Sequence, residues 1–170
     1  MFIRKEIVYW LMVSNLPKVS ISGIRGQDNY EFLTIAEHYI DAFLREHNGV
    51  PILYCQDTRG NQYRVKALVR CAAGYCAPFI DLGIAPTPTI QLLARDIGVN
   101  GIAGTASHNP HPDIGAKLFT EGGMITKGEL MRLEQRISSP QNSDGKYYPP
   151  IFLQDVLSAS PIICNWQFSF

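Results

Sequence analysis

Thr105-Ala-Ser-His-Asn-Pro110 places a serine hydroxyl among short polar side chains, between the small-residue run Gly101-Ile-Ala-Gly104 and a proline. A serine in such a loop can be a nucleophile or a carrier of phosphate, and both roles need activation by neighbouring groups. A Ser-His-Asp hydrolase is the poorer fit. His108 directly follows Ser107, and adjacent residues on a turn rarely let an imidazole take the preceding hydroxyl's proton in line. The Gly-x-Ser-x-Gly elbow is also missing. The plainest alternative is a polar turn whose side chains only cap backbone groups.

The elements around this loop alternate. Lys18 to Ile21 is β-compatible and runs into the glycine-bounded loop Ser22-Gly-Ile-Arg-Gly26. Phe32, Ile35, Ala36, Tyr39, Ile40, Phe43 and Leu44 recur at helical spacing, and Gly49 stops the helix. Val50 to Cys55 is an apolar run that reads as a buried strand, with Pro51 at its start or edge. A loop from Gln56 to Asn61 leads into a helix from about Gln62 to Cys76. Pro78 to Leu82 reads as a strand, Thr89 to Ile97 as a helix opened by the second of two prolines, and Gly101 to Gly104 as a small-residue strand. Lys117 to Thr120 follows as a strand, and Thr126-Lys-Gly-Glu129 is a capping box that opens a last helix to Ile137. This alternation predicts an α/β fold, a three-layer α/β/α sandwich with a mixed, mostly parallel sheet. Ligands of such sheets gather at the carboxyl ends of strands, where the loops 22–26, 56–61 and 105–110 should converge.

Composition narrows the function classes. The 170 residues are 46% hydrophobic and 18% charged, which suits a globular domain, and 15 Lys+Arg balance 15 Asp+Glu. With no net field, neither nucleic acid nor an anionic membrane is an expected partner, so any anion must be bound by a few placed groups. Cys55, Cys71, Cys76 and Cys164 form no C-x-x-C pair. They read as buried reduced thiols, which favours the cytoplasm. Arg4 and Lys5 precede an apolar stretch of only seven residues, Ile7 to Val13, with no small-x-small cleavage site after it. A bilayer span takes about 20, so residues 1–17 are expected to be an extension or an extra strand.

Thr105-Ala-Ser-His-Asn-Pro110 resembles the active-site serine loop of the α-D-phosphohexomutases, and three companions appear in that family's order. Ile21-Ser-Gly-Ile-Arg-Gly26 resembles its amino-terminal loop. Gln56-Asp-Thr-Arg59 resembles its R-D-x-R loop, and Asp81-Leu-Gly-Ile-Ala-Pro-Thr-Pro-Thr89 the segment before the helix that precedes the serine loop. The resemblance implies that Ser107 is phosphorylated in the resting enzyme, gives its phosphate to a hexose phosphate and recovers it from the hexose 1,6-bisphosphate. It implies a Mg²⁺ bound through that phosphate, His108 beside it as a hydrogen-bonding or proton-handling group, and Arg25 as an active-site cation whose planar fork suits phosphate. Lys117 is implied as general base toward the sugar hydroxyl, a role that requires desolvation or neighbouring cations to lower its pKa. Two departures stand out: Ile114 where the family has asparagine in N-G-x-K, and Gln56 where it usually has arginine. Asp57 and Arg59 are expected to form a structural ion pair that holds loops together.

The family has four domains; residues 18–137 resemble the first, and Ile151 to Pro161 resembles the opening helix of the second. Residues 18–137 are expected to form the first domain, 138–150 a linker and 151–170 the truncated start of the second. The Asp-x-Asp-x-Asp metal loop and the sugar- and phosphate-binding loops of the later domains are absent. The chain alone is therefore expected to be inactive, a fragment or one piece of a split enzyme, with partners supplying domains II to IV. The alternative is a non-catalytic binding module or truncated product that keeps the fold. The apolar residues of 151–170, among them Phe152, Trp166 and Phe170, are expected to drive self-association or to need a covering partner.

Overall fold

The computed structural model describes residues 17–138. The expectations for 1–16 and 139–170 (extension, linker and apolar tail) lie outside the described residues. Two short strands open the domain, β1 (Lys18–Ser20) and β2 (Gly23–Gln27). Helix α1 (Tyr30–Glu46) starts where the Asn29 side chain accepts the Phe32 N–H at 2.9 Å, with Glu31 in its first turn. Its apolar stripe buries Phe32, Leu33, Ala36, Ile40, Phe43 and Leu44.

Strand β3 (Ile52–Gln56) begins just after Pro51, as the missing proline N–H requires. A 3₁₀ turn (Gly60–Gln62) leads into α2 (Tyr63–Cys76). Next come β4 (Phe79–Ile84), α3 (Thr87–Ile97), β5 (Asn100–Gly104), β6 (Asp113–Thr120), the two-residue β7 (Gly123–Met124) and α4 (Lys127–Ser138). At the start of α4 the Thr126 N–H donates to Glu129 Oε2 at 2.6 Å and the Glu129 N–H to Thr126 Oγ1 at 3.2 Å, so the capping box is reciprocal.

The sheet runs β1-β2-β6-β5-β3-β4, with β7 on β6. Its core, β5-β3-β4, is parallel, and the pairings β5-β6, β6-β2 and β2-β1 continue it antiparallel. Alternation along the strands splits the interior in two. Ile24, Ile52, Tyr54, Ile102, Ile114, Ala116 and Leu118 pack with α1, α2 and α4 on one face. Leu53, Cys55, Ala103 and Phe119 pack with Ile90 and Ala94 of α3 on the other. Three layers result, and each fully buried large side chain contributes about 1.5–3 kcal/mol.

Three details differ from the sequence reading. Gly23–Gln27, read as a loop, is a strand because it is bonded on both sides, to β1 and to β6. β6 starts at Asp113, four residues before Lys117, because it pairs with β2 as well as β5. Cys55 and Cys76 are buried but Cys71 is exposed on α2, and none of the three is in a disulfide. Among the described residues no helix is long and apolar enough to cross a membrane.

Candidate active site

The serine loop leaves the carboxyl end of β5. Gly104 is required there, since a Cβ would collide with the Tyr54 hydroxyl. The Thr105 N–H donates to Gly115 O at 2.8 Å, which ties the loop's start to β6. Ser107 then takes a positive φ of 56°, uncommon for any residue but glycine. Its N–H donates to Thr105 Oγ1 at 3.1 Å, the Asn109 N–H to Ala106 O at 3.2 Å, and Asn109 Nδ2 to Asp113 Oδ2 at 2.9 Å. Ala106 is buried beneath, Ser107 is half-buried and His108 is exposed beside it.

Arg25 and Lys117 rise from the neighbouring strands. Arg25 of β2 pairs with Gly115 of β6, and Lys117 is two residues further along, so both side chains stand on the α3 face. Gly115 leaves space for this: a Cβ would lie 2.5 Å from Thr105 O, 2.8 Å from Ile24 O and 3.2 Å from Arg25 Cγ. Arg25 Nη2 donates to Ser22 O at 3.3 Å, while its Nε is buried without a partner. Burial, then the Arg25 charge, lowers the Lys117 pKa from its ordinary value. Among the described residues, no carboxylate forms an ion pair with either cation. Strand register thus sets two half-buried cations without carboxylate partners on one face, at the end of the sheet from which the serine loop leaves.

The third expected loop joins at the same end. The Asp57 N–H donates to Gly104 O at 3.0 Å, the last residue of β5. Asp57 Oδ1 accepts the Arg59 N–H at 3.0 Å, and its Oδ2 is 3.8 Å from Arg59 Nε. The guanidinium goes on to donate to Ser107 O at 2.7 Å. Gln56 ends β3 with its Oε1 buried and unpartnered. Ile114 is fully buried in the core against α1 and α2, on the face opposite Lys117. Isoleucine there does not remove a polar neighbour from the lysine.

Mg²⁺ has few protein ligands to choose from here. Among the described residues no group of three His, Cys, Asp or Glu could hold a metal. Asp57 is engaged by Arg59 and Asp113 by Asn109. Among the described residues, the side chains at this end of the sheet therefore offer at most single oxygen ligands to a hard cation such as Mg²⁺.

Sequence reasoning missed two contributors. The packing of Arg25 over Gly115 follows from strand register, and the reach of Arg59 and Asn61 to the serine loop is directed at carbonyls, which leave no trace in residue type.

Residues 18–144 match the family described as phosphoglucomutase/phosphomannomutase, alpha/beta/alpha domain I. A phosphoglucosamine mutase of Desulforapulum autotrophicum is 30% identical over 141 residues, which cover 75% of this chain and 30% of that protein. One of Clavibacter sepedonicus is 32% identical over 133 residues, covering 69% and 29%. Among solved structures, a Thermus thermophilus protein assigned as a phosphomannomutase aligns with a TM-score of 0.60 at 26% identity, covering 74% of this chain and 30% of that one. A phosphoglucomutase/phosphomannomutase family protein of Burkholderia thailandensis aligns with a TM-score of 0.55 at 25% identity, covering 72% and 31%. The chain thus spans about 30% of the length of the curated relatives it matches. It belongs to the phosphoglucomutase/phosphomannomutase family, of which it carries the α/β/α domain I.

Proposed function

We propose that this domain carries the phosphoserine of a phosphohexomutase, with Ser107 moving phosphate between C1 and C6 of a hexose phosphate. The observation that carries the reading is the pair Arg25 and Lys117, two cations without carboxylate partners on the face beside the serine loop. In the first half-reaction the Ser107 Oγ–P bond breaks, a sugar O–P bond forms, and Lys117 accepts the hydroxyl proton. Its lowered pKa raises the neutral fraction this role needs. The bisphosphate then turns over. Its other O–P bond breaks, the Ser107 Oγ–P bond reforms, and the proton goes to the freed sugar oxygen.

Arg25 holds the phosphate and His108 hydrogen-bonds it or handles its proton. Mg²⁺ bound through the phosphoserine would neutralise charge developing on the transferring group. Repeated interconversion depends on positioning the sugar as well as on charge, so it needs the domains II to IV that make up most of the relatives' length. One slow transfer to the Ser107 hydroxyl needs only the groups of this domain. We place the domain at residues 18–137, the linker at 138–150, the start of the next domain at 151–170, and the protein in the cytoplasm.

Intact-mass analysis after incubation with α-D-glucose 1,6-bisphosphate, with site mapping, tests this reading. The expected result is one phosphate on Ser107, absent from Ser107→Ala, with no hexose phosphate interconversion by the chain alone. Phosphate elsewhere, or interconversion that persists in Ser107→Ala, would overturn it.

A further inference from the structure

The β3–α2 connection sends two side chains across to the serine loop, and each ends on backbone carbonyls. Arg59 Nη2 donates to Ser107 O at 2.7 Å and Nη1 to Asp113 O at 3.3 Å, so one guanidinium joins the two ends of the segment 107–113. Asn61 Nδ2 donates to Pro112 O at 2.8 Å. A planar guanidinium has a fixed donor spacing, and two carbonyls bonded to one fork are held at a set separation.

The platform under the fork is also tied. The Asp57 N–H donates to Gly104 O at 3.0 Å, and the Tyr54 hydroxyl to Gln62 O at 3.3 Å. The Asp57–Arg59 ion pair does not account for this arrangement. Its Nε–Oδ2 separation of 3.8 Å is longer than either bond from the guanidinium to the loop. Arg59 therefore makes its closest side-chain contacts with the loop, and Asp57 orients it.

Ser107 needs such a hold. A non-glycine residue at φ 56° persists only where its surroundings over-determine it. On the amino side the tether is the bond from the Ser107 N–H to Thr105 Oγ1, and on the carboxyl side it is Arg59. We infer that Arg59, oriented by Asp57 and assisted by Asn61, is a positioning residue for Ser107: by holding the serine carbonyl it fixes the direction in which the hydroxyl leaves the loop. The catalytic meaning rests on Ser107 being the phosphate carrier, but the strut does not.

The test is amide hydrogen exchange on the full chain, read together with the initial rate of phosphate uptake from α-D-glucose 1,6-bisphosphate. In Arg59→Met, exchange at Ser107 to Asn109 should quicken by about tenfold, the effect of losing one charge-assisted hydrogen bond, while β3 and β5 keep their rates. Phosphate uptake should slow to a similar degree. Arg59→Lys should recover part of both, since an ammonium can reach only one of the two carbonyls. Asn61→Ala should quicken loop exchange by about threefold. Arg64→Met, which removes the ion pair to Asp28 and the contacts with Tyr63 but touches nothing in the serine loop, should change neither readout.

Unchanged loop exchange in Arg59→Met overturns the inference, as does a loosened loop that takes up phosphate at the native rate. If Arg59→Met unfolds as a whole, wild-type loop rates in both Arg59→Lys and Asn61→Ala overturn it equally. Should the wild-type chain take up no phosphate, the phosphoserine reading fails, while the exchange rates still decide whether the strut holds Ser107.

Discussion

The two faces of the sheet are built from the same strands and have different tasks. Ile24 and Arg25 are neighbours on β2, and Ala116 and Lys117 are neighbours on β6, yet each pair is divided between the faces. Toward α1, α2 and α4 the sheet presents Ile24, Ile114 and Ala116, all almost fully buried. Toward α3 the same stretch presents Arg25, Gly115 and Lys117, and the Arg25 Nε is left without a partner. Both faces bury an apolar cluster, but only the α3 face, near its loop end, also presents the two cations. A period of two in the chain is sufficient to make that difference.

The largest expected effect sets the faces directly against each other. Ile24→Ala should cost about 2–5 kcal/mol of stability in urea denaturation, through lost transfer energy and a residual cavity. Arg25→Ala, one residue away, should change stability by within about 1 kcal/mol yet slow phosphate uptake by Ser107 by about tenfold or more, the effect of losing a charge-assisted contact. Equal losses of stability in the two variants would erase the distinction.

Gly115→Ala lies at the seam. Its Cβ would meet Thr105 O, Ile24 O and the Arg25 stem together. We expect about 1–3 kcal/mol of destabilisation from overpacking, together with slower phosphate uptake because Arg25 is displaced. Native stability and uptake in this variant would show that the packing of Arg25 over Gly115 is loose.

Glu37 sharpens the comparison from the core side. It is buried on α1, one carboxylate oxygen lacks a partner, and burial followed by Asp41 raises its pKa to about 7. Between about pH 4.5 and about 7 the folded state keeps a proton that the unfolded state releases, so stability falls as pH rises. The slope should be on the order of 1 kcal/mol per pH unit. Glu37→Gln should remove it and make the protein more stable than wild type above pH 7, as read by urea midpoints across that range. A pH dependence identical in the two forms would refute the assignment.

Much of the fold was legible in the chain. The stripe from Phe32 to Leu44, the run from Val50 to Cys55 and the Thr126–Glu129 capping box are local signals, and local physics decides them. β2 was not legible, because Gly-Ile-Arg-Gly offers one apolar residue and its strand state is imposed by partners on both sides. For the site, Ser107, Arg25, Asp57 and Lys117 were visible as residue types in motifs. The roles of Gly115 and Asn61 were not, since they depend on register and on carbonyls distant in sequence. Ile114 had the opposite fault. In the sequence it stands out as a departure from N-G-x-K, yet alternation turns it to the core, on the face opposite Lys117.

The most direct test of the central claim, that Ser107 carries phosphate against Arg25 and Lys117, is a ³¹P NMR pH titration of the chain after exposure to α-D-glucose 1,6-bisphosphate. A free phosphoserine has a second pKa of about 6. Two nearby cations favour the dianion, so the resonance should titrate below that value in the wild-type chain and move back toward it in Arg25→Met. A chain with no phosphoserine resonance, or one that titrates at the ordinary value whether or not Arg25 is present, would contradict the account.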